Sequence, residues 1–149
     1  MIRRIIFTIL IFQLSIVLSE AQISEGGLPP SFLESVVRAD FSSFSLPTPD
    51  LQAIRDEDKQ HDLSGEPKRI GVLIPVNKDL IGSGTRTQLK SGGQIWRMRL
   101  AVEGAEALGI YFDDFWLPHG GKLFIYDSEG EYILGAFTER NNQENRLFA

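Results

Sequence analysis

The sequence has no cysteine, and this excludes a disulfide framework, a thiolate nucleophile and any thiolate metal site. It has two histidines, His61 and His119, so chemistry that needs a histidine base has two places to start. There is no Asn-x-Ser/Thr sequon for N-glycosylation. The longest apolar run, Ile5 to Leu18, is 14 residues with a few polar interruptions. That is short of the roughly 20 residues a membrane-spanning helix requires. Acidic residues outnumber basic ones, 20 to 15, which disfavours binding to nucleic acid or an anionic membrane.

The run from Ile5 fits a different role. Met1-Ile2-Arg3-Arg4 is a short positive start, the apolar stretch follows, and Ser19-Glu20-Ala21 places small residues where signal peptidase reads them. Residues 1–21 are therefore expected to be a secretory signal peptide cleaved after Ala21, leaving a secreted, periplasmic or cell-surface chain without a stable membrane anchor. The mature chain would keep 13 basic and 19 acidic residues, a net charge of −6. A secreted domain without disulfides must rely on its core. Ten Phe and two Trp supply the bulk for one.

The remaining chain is of one-domain length. Residues 22–65 read as an extended arm packed against a domain. Gly26-Gly27-Leu28-Pro29-Pro30 breaks regular structure, Pro47-Thr48-Pro49 is rigid and extended, and Asp50 can cap a short helix over Leu51 to Arg55. Asp56 to Gly65 is acidic and polar and reads as a loop. From Arg69 on the pattern changes to short strand-like segments. Strands are predicted over Arg69–Val76, Thr85–Lys90, Gln94–Glu103, Leu108–Phe112, Lys122–Tyr126 and Glu131–Phe137. In the clearest of them Trp96, Met98, Leu100 and Val102 share one face, and Ile95, Arg97, Arg99 and Ala101 the other. Asp127-Ser128-Glu129-Gly130 is a hairpin signal. The pattern predicts an all-β fold: an antiparallel, jelly-roll-like β-sandwich over residues 66–138, preceded by the arm and followed by a polar linker over 139–149.

Few residues combine into chemistry. Neither histidine sits in a nucleophile motif, and no Gly-x-Ser-x-Gly elbow or phosphate-binding loop occurs. His119, in Pro-His-Gly-Gly, reads as a turn residue. Asp113-Asp114 and Asp127/Glu129 are the paired carboxylates. Turn geometry explains them most simply; Ca²⁺ ligation and glycosidase-type acid–base work are the functional alternatives. Trp96, Tyr111, Trp116 and Tyr126 could form a sugar-stacking platform; aromatics on strands are more often core, as Trp96 beside Met98 and Leu100 is expected to be, and Trp116 is the best candidate for exposure. Arg97 and Arg99 form a basic stripe. It is either a solvated outer face or a docking face for an acidic partner.

The run Gln94 to Leu100, the string Phe112 to Tyr126 (Phe-Asp-Asp-Phe-Trp-Leu-Pro-His-Gly-Gly-Lys-Leu-Phe-Ile-Tyr) and Leu134-Gly135-Ala136-Phe137-Thr138 resemble the N-terminal region of secreted bacterial lysyl-endopeptidase-like, trypsin-like serine proteases. The resemblance covers about residues 65–149 and carries no catalytic residue. The expected aromatic near Arg86 is absent. It implies a propeptide or accessory domain that assists folding or holds a protease latent, acting as a monomer with a catalytic domain in cis and no cofactor. The ending on Leu147-Phe148-Ala149 is expected to be a truncation ahead of that domain. Arg140 and Arg146, in the polar stretch, become candidate processing sites. The competing expectations are a secreted module that binds carbohydrate or a cell-surface partner through Trp116, and an independent enzyme using Asp113 or Asp114.

Overall fold

The structure is a computed structural model that describes residues 24–33 and 41–149. The predicted signal peptide lies outside the described residues. Among those described, no helix is long and apolar enough to cross a membrane. The chain divides into two compact units. Of the described residues, 24–29 together with Ile110–Ala149 form one, and Pro30–Gly109 the other.

The second unit is organised by its longest strand. Its elements are a single helical turn α1 (Pro30–Leu33), strand β1 (Ser42–Leu46), helix α2 (Leu51–Ser64), a further turn α3 (Leu80–Ser83), and strands β2 (Thr85–Gln88) and β3 (Gln94–Val102). β3 pairs antiparallel with β2, Thr85 opposite Arg97 and Gln88 opposite Gln94. It pairs in parallel with β1, Ser42 opposite Met98 through Leu46 opposite Val102. Because Ser42 and Thr85 lie against successive residues of β3, the Ser42 N–H donates to Thr85 Oγ1 at 2.8 Å. The sheet is thus mixed, where a purely antiparallel one was expected. A parallel pair needs a long crossover, and here residues 47–93 supply it.

Helix α2 runs to Ser64, well past the short helix expected to end near Arg55. Asp50 Oδ1 accepts from the N–H groups of Gln52 and Ala53, both at 3.0 Å. The helix stops at Gly65, whose φ of 76° suits glycine. It buries no residue. Its support comes from caps and side-chain pairs: Lys59 with Asp56 at 2.9 Å, and Arg69 reaching back to Glu57 at 2.7 Å and Asp58 at 3.0 Å. A helix that is polar all round carries no apolar stripe, so periodicity does not reveal it. Conversely, Arg69–Val76 forms no strand. Ile70 is fully exposed, because among the described residues no neighbouring strand offers this segment a ladder.

The first unit is built around a hairpin. Strands β4 (Leu123–Tyr126) and β5 (Ile133–Phe137) pair antiparallel, with Tyr126 opposite Ile133 and a register shift between Leu123 and Phe124. Asp127 Oδ1 closes the turn by accepting from Glu131 N at 2.8 Å and Tyr132 N at 3.2 Å, as the Asp…Gly signal predicts. The outer edge of β5 is covered by the arm: Glu25 N donates to Ala136 O at 2.9 Å and Ala136 N to Gly26 O at 3.2 Å. The predicted strand at Leu108–Phe112 is reduced to one bridge, Phe112 with Phe148.

The expected polar linker is part of this core. Phe148 is 5% exposed and lies with Phe115 and Phe137, with Phe112, Leu117, Leu123 and Ile125 packed around them. Its ring stacks on Phe115 at 4.3 Å and meets Phe137 edge-on at 4.9 Å. Phe112 and Phe148 exchange backbone hydrogen bonds at 2.7 and 3.1 Å. The amides of the linker do the rest. Asn142 holds the Leu117 backbone by both N–H and C=O, at 2.9 and 2.8 Å, and Asn141 Oδ1 accepts from Thr138 N at 2.9 Å. The segment is polar in composition because its amides replace backbone partners, while one aromatic anchors it. Phe148→Ala should destabilise this unit by about 3–5 kcal/mol. Leu134→Ala, at an exposed position, should cost less than about 0.5 kcal/mol. Urea unfolding followed through the Phe115 and Phe137 resonances checks both.

Candidate functional site

The polar side chains with chemical potential in the first unit gather on the loops around the Phe112–Tyr126 string. Phe115 is drawn inward, and this turns its neighbours Asp114 and Trp116 outward. Trp116 is 55% exposed, as its loop position suggested. Arg146 returns along the same loop. Its guanidinium pairs with Asp114 and lies 5.6 Å from the centre of the Trp116 ring. Its backbone is fixed as well: Phe115 N donates to Arg146 O at 2.8 Å, and Arg146 N donates to Gln143 O at 3.0 Å. Arg146 has a φ of 57°, the left-handed region. It is therefore a turn residue with an engaged side chain, unlike the free arginine of an open linker. Arg140 is exposed but sits within the 3-10 turn Glu139–Asn141, between Glu139 and the buried Asn141.

His119 lies in the turn closed by Gly121 N donating to Pro118 O at 2.9 Å. Its Nδ1 is 2.9 Å from Glu139 Oε1, and its side chain is almost wholly exposed. Its partner is thus a carboxylate, where a catalytic base would need a nucleophile hydroxyl. The Glu139 carboxyl is held below its ordinary value of 4.5, first by a backbone N–H of its own turn and then by His119. Asp127 spends its oxygen on the hairpin turn. Among the described residues, no group of three His, Asp or Glu side chains is placed to hold a metal ion.

In the second unit the basic stripe divides. Arg99 is exposed, opposite Ser43 on β1. Arg97 is 9% exposed, with its guanidinium 4.6 Å from the Phe41 ring centre. The aromatic of the arm covers Arg97, a cation–π contact that periodicity alone could not reveal. Trp96, proposed for the sugar platform, is half-buried and belongs to this unit, whereas Tyr111, Trp116 and Tyr126 belong to the other. Arg86, near which the expected aromatic is absent, is on β2. It lies 6.0 Å over the ring of Trp96, its cross-strand partner on β3.

A cleft of about 180 Å³ lined by Asp58, His61, Asp62, Lys68 and Arg69 also lies in this unit. Its charges pair among themselves and with neighbours: Arg69 with Glu57 and Asp58, Lys68 with Asp62 at 4.0 Å, His61 with Glu66 at 3.8 Å. Such a cleft presents a ligand with little net charge.

The residues that sequence reasoning missed are Phe148, Asn142 and Glu139. The spacing of Phe148 from a polar run gave no period to follow. The Asn141-Asn142 pair was the available signal, since adjacent amides suit backbone capture better than a flexible tether. No family model matches the chain, and no solved structure matches it at significant similarity.

Glu139 yields a pH prediction. Its carboxyl has a lower pKa folded than unfolded, so its contribution is full above about 4.5 and is lost as pH falls through the depressed folded value. Glu139→Gln should flatten the acid limb of the unit's stability below that pH. Unfolding midpoints of the two proteins across an acid titration check it, and identical limbs would contradict it.

Proposed function

We propose that this chain is the non-catalytic N-terminal propeptide or accessory domain of a secreted trypsin-like serine endopeptidase, where it assists folding or keeps the protease latent. The observation that carries the reading is the Phe112–Tyr126 string. It is the most specific part of the resemblance, and it is the segment from which the first unit builds its core. Its polar members are spent on structure: Asp114 on Arg146, His119 on Glu139, Asp127 on the hairpin. A string used this way suits a folding or docking module whose chemistry belongs to another domain.

On this reading the leader directs secretion, the partner is the catalytic domain in cis, the domain acts as a monomer, and no cofactor is required. The jelly-roll-like sandwich is the fold expectation that goes with it. The antiparallel β2–β3 and β4–β5 pairs favour that arrangement, and the parallel β1–β3 pair runs against it. An inhibitory prodomain must cover a cleft or distort a site until it is cut away.

Reading the coding sequence beyond codon 149 tests the proposal. An open frame leading to His, Asp and Gly-Asp-Ser-Gly-Gly in that order is expected. A stop codon at 150 would contradict it. The second reading, a secreted binding module for carbohydrate or a cell-surface partner, is favoured by the exposure of Trp116 together with Tyr111 and Tyr132. It predicts that glycans quench tryptophan fluorescence in the native protein and that Trp116→Ala abolishes the effect. Absence of quenching across a broad panel would sink it.

A further inference from the structure

We propose that the Arg146–Leu147 bond is a gated processing site, latched by Asp114 and Trp116, whose hydrolysis dismantles the first unit. The inference goes beyond the preceding reading, because it concerns any trypsin-like protease the chain meets and holds whether or not one is attached.

Three observations carry it. Trypsin-like enzymes take a basic side chain into an acidic pocket, and the Arg146 guanidinium is already committed to Asp114 and to the face of Trp116. A protease also needs several residues around the bond in extended form. Here Arg146 has a positive φ, its N–H closes a turn onto Gln143, and its C=O accepts from Phe115. Beyond the bond, Phe148 is hydrogen-bonded to Phe112 in both directions and stacked on Phe115. The bond therefore reaches a protease when the segment from Gln143 onward peels away, and that motion withdraws Phe148 from the core.

Hydrolysis then makes the opening permanent. Water adds hydroxyl to the Arg146 carbonyl carbon and a proton to Leu147 nitrogen, and the C–N bond between them breaks. The products are a carboxylate on Arg146 and a free amino group on Leu147. Phe148 now sits on a separate fragment. It has lost the effective concentration that the intact chain gave it, and the core of Phe115 and Phe137 is left open. Arg140 differs: among the described residues no carboxylate or aromatic ring latches its guanidinium, though its turn is held by Asn141.

The test treats the full chain with dilute trypsin. Mass spectrometry follows the fragment beginning at Leu147, normalised to the cut after Lys90, which lies in an exposed turn of the other unit. Asp114→Asn and Trp116→Leu should each release that fragment about two- to fivefold faster, the size expected for one exposed ion pair or cation–π contact. Arg146→Gln should release none. Fragment release should coincide with loss of the dispersed Phe115 and Phe137 resonances. If a variant fails to fold, raising salt on the native protein serves instead, since screening should speed the normalised release. Equal rates in the native, Asp114→Asn and Trp116→Leu proteins would overturn the latch. Release with the aromatic resonances unchanged would overturn the dismantling.

Discussion

The burial of Phe148 between Phe115 and Phe137 is the contact on which the first unit depends. Three rings at 4.3 to 4.9 Å hold most of the fully buried apolar surface there. Aromatic side chains bury large areas and add a geometric preference to the burial. Everything nearby follows from bringing residue 148 to residue 115. The chain must reverse after β5, and the 3-10 turn at Glu139–Asn141 does this. The reversal brings Asn142 to the Leu117 backbone and Arg146 to Asp114. Residues 110–121 have no strand or helix of their own beyond one bridge, and are held by these returning contacts.

The second unit rests on a different arrangement. β3 has ladders to β1 and β2, and Gly84 leaves no room for a side chain beside them: an added Cβ would clash with Leu80 O and sit a tight 3.2 Å from Arg97 O. Helix α2 contributes no buried surface and is maintained by its cap and its charges. Such exposed pairs are individually weak. Arg69, bonded to two successive carboxylates, has its ionised form favoured above the ordinary arginine value, chiefly by Glu57.

Where period and turn chemistry act locally, the sequence was readable. The β3 and β4–β5 strands, the Asp127 turn, the Asp50 cap and the exposure of Trp116 all follow from neighbours within a few positions. What was illegible depended on distant partners. Arg97 looks solvated by alternation, and Phe41, more than fifty residues upstream, covers it. Ile70 to Val76 has strand composition, but among the described residues no strand lies beside it. Helix α2 hides because nothing on it is buried. The closing segment reads as a tether because its composition is polar, while its function in the fold is carried by two amides and one ring.

The site was legible to the same extent. Trp116 and Arg146 could be picked out singly; that Asp114 joins them could not, since 32 residues separate it from Arg146. The common thread of the fold and the gated bond is that residues 142–148 are anchored to the first unit at both ends, by Asn142 on the Leu117 backbone and by Phe148 in the core. Native-state hydrogen exchange tests this most directly. The amides of Phe112, Phe115 and Phe148 should exchange together, through one opening event, at a rate close to that of β5. Exchange of Phe148 at the speed of an exposed chain, with Phe115 and Phe137 still protected, would contradict it.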